Sequence, residues 1–226
     1  MTPHPLDRPV WSALSTRQRT LARGGERALR MKRDYGPFAA SADDSPASLA
    51  ALGGLIPSDG NVVLLQTGGG PLPPAAKVER SALGLQMIAE KIAAAPADGR
   101  IERLTDADAP EMLALAVLTE PGPFASRTHQ LGDFYGIRES GRVVAMAGER
   151  MKPEGFTEVS GVCTHPDHRG RGYAGLLMRL VAARIVERGE TPFLHVYASN
   201  SGAIALYHAL GYEVHREVTM TLLVRA

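Results

Sequence analysis

The sequence predicts an α/β protein in which a central mixed β-sheet is flanked by helices and preceded by a smaller N-terminal α/β region. Two observations lead to this fold class. From about residue 100 onward, short apolar strand-like segments alternate with helical ones. Before that point the chain is richer in Gly, Pro, Ala and Ser, and the composition changes near residue 98. We therefore expect an N-terminal region at residues 1–98 and a second domain at residues 99–226.

The N-terminal region contains few regular patterns. Residues 12–33 carry several arginines and predict a helix that Gly24-Gly25 interrupts. Residues 61–66 predict a strand, because an apolar, β-branched run follows a turn-like Pro-Ser-Asp-Gly sequence. The Ala- and Pro-containing residues 93–99 predict a linker to the second domain.

The first half of the second domain predicts a strand, a helix and then three more strands. Residues 101–105 form the first strand, and Asp106 or Asp108 can cap a helix that runs through Leu118. A Pro-Gly-Pro sequence then ends the helix. Ser140-Gly141 is a hairpin signal between two strands. The three strands are expected at residues 133–139, 143–151 and 156–164.

The second half alternates helices with strands. Apolar residues at positions 176, 177, 180, 181 and 185 form one stripe, which is typical of an amphipathic helix over residues 172–188. Gly211 supplies the end of a second helix. The remaining expected elements are a strand at 193–198, that second helix at 201–210 and a last strand at 212–224.

Composition excludes several classes of partner. Lys and Arg number 25 against 24 Asp and Glu, a net charge of +1, so the basic excess of a nucleic-acid-binding protein is missing. The longest apolar run, residues 112–118, is far shorter than the roughly 20 residues that span a bilayer. The N-terminus lacks the apolar core of a signal peptide, and Cys163 is the single cysteine. We expect a cytoplasmic protein that binds neither nucleic acid nor membrane.

The histidines do not predict a metal site. Those at positions 165, 168, 195, 208 and 215 show no metal-ligand spacing with carboxylates. One cysteine cannot form a Cys-rich zinc site, and Cys163 itself is expected to be a small buried residue. The sequence therefore predicts no bound metal.

A glycine-rich segment lies between a predicted strand and a predicted helix. Gly170, Gly172 and Gly175 have the Gly-x-Gly-x-x-Gly spacing found in dinucleotide-binding proteins. Glycines let a backbone approach a phosphate, and a helix N-terminus offers free N–H groups. A dinucleotide site is nevertheless disfavoured, because polar residues and a proline separate the strand from Gly170, and the next strand ends in Ser199-Asn200 rather than in an acid.

Neighbouring residues extend this pattern and indicate a family. Arg169-Gly170-Arg171-Gly172-Tyr173-Ala174 has the form Arg/Gln-x-x-Gly-x-Gly/Ala and follows Val162-Cys163-Thr164. Downstream come Ala198-Ser199-Asn200, Ala205-Leu206-Tyr207 and Leu210-Gly211-Tyr212-Glu213. Residues 99–226 thereby resemble the GNAT superfamily of acyl-CoA-dependent N-acetyltransferases. The resemblance implies a GNAT-like fold and direct transfer of an acetyl group from acetyl-CoA to an amine.

The resemblance also implies which residues hold the coenzyme. The main chain of the Val162–Thr164 segment would pair with the pantetheine arm, and Asn200 would contact it. The amides of the glycine loop would hold the pyrophosphate. The coenzyme-binding residues are thus expected to be Val162, Cys163, Thr164, Arg169, Gly170, Arg171, Gly172, Tyr173, Ala174 and Asn200.

Two further residues receive catalytic roles from the resemblance. Tyr207 would protonate the departing thiolate, with a packed core tyrosine as the alternative. Glu158 would act as the general base, usually through water, and Glu149 on the preceding strand is a competing acid. Strand alternation would put Glu158, Ser160, Val162 and Thr164 on one face if no bulge intervenes.

The acceptor is expected beside the segment that follows the first helix of the second domain. Phe124, Arg127 and His129 would line this site, and Arg127 would bind a carboxylate. A small-molecule or peptide amine is therefore the expected acceptor. The alternative function is a CoA-binding regulatory or interaction module without turnover. The resemblance is also compatible with a homodimer.

Overall fold

The computed structural model describes residues 4–94 and 98–226. These residues contain five α-helices and eleven β-strands. The helices are α1 (Pro9–Ser15), α2 (Pro46–Gly54), α3 (Ala109–Thr119), α4 (Tyr173–Glu187) and α5 (Ser201–Ala209). The strands are β1 (Ala22–Gly24), β2 (Ala28–Met31), β3 (Ala39–Ser41), β4 (Asn61–Gln66), β5 (Ala76–Ile88), β6 (Ile101–Leu104), β7 (Phe134–Glu139), β8 (Arg142–Glu149), β9 (Phe156–Thr164), β10 (Thr191–Tyr197) and β11 (Glu213–Arg225).

Eight of the strands form one mixed sheet in the order β4-β11-β5-β10-β9-β8-β7-β6. Strands β9 and β10 are parallel and are joined by α4, whereas the other neighbours are antiparallel. Strands β1, β2 and β3 form a separate small antiparallel sheet. This architecture confirms the predicted fold class.

The two faces of the large sheet have different covers. On one face α4 buries Leu177, Met178 and Val181 against the central strands. On the other face the N-terminal segment packs Leu14 and Phe38 into a cluster that contains Phe193 of β10, and both phenylalanines are almost fully buried. Burying each such side chain contributes about 1.5–3 kcal/mol, so the N-terminal segment belongs to the core of the sheet.

Several predicted elements are confirmed because their signals are local. The strand predicted at residues 156–164 coincides with β9. Ser140 and Gly141 form the turn between β7 and β8 and have φ angles of 49° and 80°, as a two-residue hairpin requires. The predicted acidic cap of α3 is wrong in detail: Asp108 directly precedes α3 but makes no side-chain cap bond to it, and it instead completes a capping box with Thr105 around the 3-10 turn at residues 106–108.

Three expectations for the N-terminal half differ from the structure. Residues 12–33 contain the end of α1, a 3-10 turn at Arg19–Leu21 and then β1 and β2, because burial of the apolar side of β2 outweighs helix propensity. Strand β5 was not predicted. The boundary at residue 98 does not divide the sheet, since β5 lies between β10 and β11. The predicted linker at residues 93–99 lies partly outside the described residues.

Within the described parts of the chain, no helix is long and apolar enough to cross a membrane.

Candidate active site

A cleft of about 780 Å³ opens where β9 and β10 separate. The two strands pair only from Thr191 opposite Phe156 to Phe193 opposite Glu158. Beyond that last pair they diverge, and both residues 159–164 of β9 and residues 194–197 of β10 line the cleft. Main-chain groups on the facing edges are therefore available to an extended ligand, as at any unpaired strand edge.

A β-bulge interrupts β9 inside the cleft. The register with β8 shifts so that Gly161 and Val162 together lie opposite Ala147. Gly161 has a φ of 63°, and a Cβ there would lie 2.9 Å from the ring of Phe134. Both the backbone angle and the close packing therefore require glycine at this position.

The bulge separates residues that simple alternation would place together. The predicted single face of Glu158, Ser160, Val162 and Thr164 is wrong, because Val162 packs with the α4-side core, in which Val159 also lies. One extra residue in the strand reverses the direction of every side chain beyond it.

The glycine loop forms one end of the cleft. Gly170 and Gly172 have φ angles of 78° and 75°, and a Cβ on either would meet no atom within 4 Å. Gly172 precedes α4 without any side-chain cap. Within the described chain, the amides of residues 170–175 have no main-chain acceptor. These free donors at a helix N-terminus can bind a phosphate group.

The two arginines of this loop differ in whether a carboxylate already pairs with them. Arg171 pairs with Glu139, with nitrogen–oxygen distances of 2.8 and 2.9 Å, and the Tyr173 hydroxyl also bonds to Glu139. Arg169 is exposed and has no ion pair among the described residues. Arg169 is therefore the cation of the loop that is free to meet a ligand.

Other predicted residues also line the cleft. Tyr207 does so from α5, and burial raises the pKa of its phenol. Asn200 lines it too, while its Oδ1 caps α5 by accepting from the Ala203 N–H at 3.1 Å. Cys163 is buried in the wall, and burial raises the pKa of its thiol to about 11, so it is not a ready nucleophile.

Glu158 lies at the vertex of the two diverging strands. Its carboxylate accepts from Nε and Nη2 of Arg150, both at 2.8 Å, and from Nδ1 of His195 at 2.7 Å. The His195 Nδ1 must carry the proton, since a carboxylate only accepts, and Gln86 Nε2 lies 3.2 Å from His195 Nε2. Glu158 therefore joins the end of β8, β9 and β10.

The electrostatics of Glu158 follow from these contacts. Burial alone would raise the pKa of this fully buried carboxyl, but the Arg150 guanidinium and the His195 hydrogen bond outweigh burial and lower the pKa to about 2. Its oxygens are occupied, and it is absent from the cleft wall. This geometry does not support the predicted role of Glu158 as the base that takes a proton from the amine.

Two other carboxylates near the cleft, Glu149 and Glu120, differ in whether they line its wall. Glu149 is buried between Lys152 at 2.8 Å and Arg188 at 2.6 Å and does not line the cleft. Glu120, which sequence reasoning missed, is the one carboxylate among the described residues of the cleft wall. It ends α3 in the left-handed conformation, with φ 49° and ψ 54°. Its position just before a Pro-Gly-Pro sequence was the available signal.

The three residues expected to bind the acceptor lie outside the cleft wall. Phe124 packs into the apolar cluster beneath α3. Arg127 stacks over the ring of Tyr35 at 5.0 Å. His129, whose side chain is 7% exposed, forms a hydrogen bond from Nε2 to Asp106 at 2.9 Å. All three side chains thus make contacts within the chain and do not face the cleft.

The opposite wall of the cleft comes instead from the N-terminal half and the last strand. We call it the β11 wall. Its members lie on β4, β11 and β5, three neighbouring strands, and sequence reasoning missed all of them because these strands are distant along the chain. They are Val63, Leu65, Arg80, Ala82, Met220 and Leu222.

Among the described residues, no group of three or more His, Cys, Asp or Glu side chains could hold a metal ion.

Replacing Glu158 by glutamine is expected to lower the free energy of unfolding at pH 7 by about 3 kcal/mol, because Arg150 would remain buried without its counter-charge. The folded-state pKa is below the ordinary 4.5, so the carboxylate stabilises the fold above that value, and this stabilisation is lost as the pH falls towards about 2. The deficit of Glu158→Gln should therefore shrink at pH 3. Urea unfolding at both pH values measures it.

Glu187→Gln is the matched control, because Glu187 forms an exposed pair with Arg184 at 2.9 Å. Such exposed pairs contribute about 0–1 kcal/mol. If Glu158→Gln is as stable as Glu187→Gln at pH 7, Glu158 does not hold the strands together.

Comparisons with known proteins agree on one family. The model of the FR47-like protein family matches residues 134–221. A structure assigned to the GNAT family of acetyltransferases, from Novosphingobium aromaticivorans, is 46% identical with a TM-score of 0.93, covering 99% of this chain and 100% of that chain. No match was found among curated proteins.

More distant structures share the fold. A GCN5-related N-acetyltransferase from Kribbella flavida is 18% identical with a TM-score of 0.65, over 96% of this chain and 94% of that chain. A GCN5-related N-acetyltransferase-like protein from Streptococcus suis is 14% identical with a TM-score of 0.58, over 95% and 92% of the two chains. These distant structures share the fold alone, whereas the full-length match at 46% identity shows that the chain belongs to the GNAT family of acetyltransferases.

Proposed function

We propose that this chain transfers an acetyl group from acetyl-CoA to the amine of an acceptor. The observation that carries the proposal is the cleft between β9 and β10, which ends at the free amides of residues 170–175. An extended arm can pair with the open strand edges while a phosphate group meets the amides. The family relationship supports the same reaction.

The residues around the cleft fit the coenzyme. Acetyl-CoA supplies an acyl thioester that an amine can attack. The loop from Arg169 to Ala174 would hold its pyrophosphate through main-chain N–H groups, with Arg169 adding positive charge. The main chain of residues 162–164 and the side chain of Asn200 would hold its arm. A cytoplasmic location, where acyl-CoA is available, belongs to the same proposal.

Tyr207 is assigned the role of general acid. It lines the cleft from α5, and a phenol with an ordinary pKa near 10, which burial raises further in Tyr207, is protonated at neutral pH. A protonated phenol can donate to a departing thiolate. Glu158 is assigned a positioning role, since it fixes the vertex at which the two strands separate.

Glu120 is the carboxylate that we assign to the amine. An amine attacks only when neutral, and an exposed carboxylate at the cleft can attract the ammonium form and accept its proton directly or through water. Glu120→Gln should shift the rising limb of the pH profile of kcat/KM to higher pH, because the amine would lose its proton without help. Steady-state rates between about pH 6 and pH 10, a range that brackets amine pKa values, measure the shift.

Glu154→Gln is the control for this experiment, because Glu154 is exposed and absent from the cleft wall. An unchanged profile in Glu120→Gln would remove Glu120 from the mechanism.

The proposed function is tested by binding and turnover together. Thermal unfolding with acetyl-CoA, CoA and NAD should show a raised melting temperature with the first two only, because a ligand that binds the folded state stabilises it. A panel of amines is then screened for release of the CoA thiol. Binding without thiol release from any amine would favour a CoA-binding module, and stabilisation by NAD alone would favour the dinucleotide alternative.

A further inference from the structure

The acceptor, we propose, is an amine joined through an apolar chain to an anionic group, and it binds along the β11 wall. This inference rests on the proposed function and names the substrate class of that same cleft.

The β11 wall is a continuous apolar surface. Leu222 of β11 lies directly between Val63 and Arg80, and Met220 lies directly between Leu65 and Ala82. Directly opposed residues share a face of the sheet, and a spacing of two residues keeps both rows on that face. The rows therefore form a floor of five apolar side chains with one cation at its edge.

This floor lies on the face of the sheet opposite α4, the helix that follows the glycine loop. Leu65 and Met220 pack in the same cluster as Phe193, whereas Leu194 of β10 packs in the α4 cluster. Adjacent residues of a strand point to opposite faces, so the floor faces away from α4. The glycine loop leads into α4, and the phosphates expected there are thus separated from Arg80 by the sheet.

Arg80 is the charge that this wall offers to a ligand. Its guanidinium carbon lies 5.5 Å from the centre of the Tyr197 ring, at the end of the diverging part of β10. The side chain is exposed and has no carboxylate partner among the described residues. The other cation near the floor, Arg150, is already neutralised by Glu158. An anionic group at the far end of an apolar chain on the floor would form an ion pair with the Arg80 guanidinium.

Position along the strands sets the shape of the acceptor. The strands separate at Phe193, and Tyr197 lies four residues further along β10. At about 3.3 Å per residue, the Arg80 end is roughly 13 Å from the vertex. An arm that pairs with residues 162–164 while its phosphates meet the glycine loop would bring the thioester, and with it the attacking amine, towards the vertex. The amine and the anion must then be separated by several carbon atoms, and a second cation at the anion's position would be repelled by Arg80.

Three amines of equal chain length test the proposal: 8-aminooctanoate, octylamine and 1,8-diaminooctane. The expected order of kcat/KM in the wild-type chain is the order given, with roughly a fivefold advantage of the first over the last, the size of one partly exposed charge contact. Arg80→Glu should invert this order, and added salt should weaken both preferences. Lys77→Glu is the control, since Lys77 is exposed on β5 outside the cleft wall and should leave the order unchanged.

Octylamine separates the two proposals, because it carries no charge at its far end. Suppose that octylamine is acetylated and that the relative kcat/KM values of the three amines are the same in the wild type and in Arg80→Glu. The proposed acceptor class would then be wrong, while the proposed function would stand. Absence of thiol release from every amine, with acetyl-CoA still bound, would overturn both. An inverted order in Arg80→Glu with an unchanged order in Lys77→Glu supports the assignment.

Discussion

Replacing Gly172 by glutamate is expected to weaken acetyl-CoA binding by at least about 100-fold while the chain remains folded. The new carboxylate would lie where the free amides of the glycine loop end, and it would repel the pyrophosphate and block its approach. Loss of two charge-assisted hydrogen bonds at about 1.5–3 kcal/mol each accounts for this magnitude. Isothermal titration with acetyl-CoA measures it.

Gly189→Glu is a close control for this experiment. Gly189 has a φ of 77° against 75° for Gly172, and a Cβ would meet no atom within 4 Å at either position. Both variants therefore gain the same charge and the same backbone strain, about 1–2 kcal/mol, but only Gly172 borders the cleft. Equal affinities of the two variants for acetyl-CoA would show that the loop does not bind the pyrophosphate.

Replacing Tyr207 by phenylalanine is expected to lower kcat by about 100-fold and to leave the affinity for acetyl-CoA unchanged. The variant keeps the ring and its packing but loses the proton that the departing thiolate needs, and this value is the low end for general acid catalysis. Pre-steady-state release of the CoA thiol is the measurement, because it isolates the chemical step from product release.

Tyr212→Phe serves as the matched phenol control. The Tyr212 side chain is fully buried beside Tyr207, with ring centres 6.3 Å apart, and it does not line the cleft. Its hydroxyl has no hydrogen-bond partner among the described residues, so its removal should cost little. A Tyr207→Phe variant that turns over as fast as Tyr212→Phe would make Tyr207 a packing residue.

The parts of the fold that the sequence predicts correctly have local signals. Strand β9 and the hairpin at Ser140-Gly141 are encoded by alternation and by turn residues within a few positions. Strand β5 has no such signal, because its first half is an exposed, polar run and its partners β10 and β11 follow more than 100 residues later. Its central position in the sheet depends on contacts that no local pattern records, and strands from both sides of the predicted boundary at residue 98 therefore lie in one sheet.

Site residues likewise fall into those that contiguous motifs predict and those that depend on contacts between distant segments. The glycine loop and Tyr207 could be selected from motifs that are contiguous in sequence. The setting of Glu158 could not, because it depends on Arg150, on His195 and on the bulge at Gly161. The β11 wall likewise exists only after three distant segments pair. Sequence reasoning thus selected residues on the glycine-loop side of the cleft and missed the β11 wall.

The most direct test of the account is a paired measurement of both products in one reaction. Wild-type chain is incubated with acetyl-CoA and octylamine, and the CoA thiol and the N-acetylated amine are quantified over time. We expect the two products to appear in equal amounts, nearly to vanish in Gly172→Glu and to persist in Gly189→Glu. Thiol release without N-acetylated amine, or tight acetyl-CoA binding with neither product from this or any other amine, would contradict an N-acetyltransferase built on this cleft.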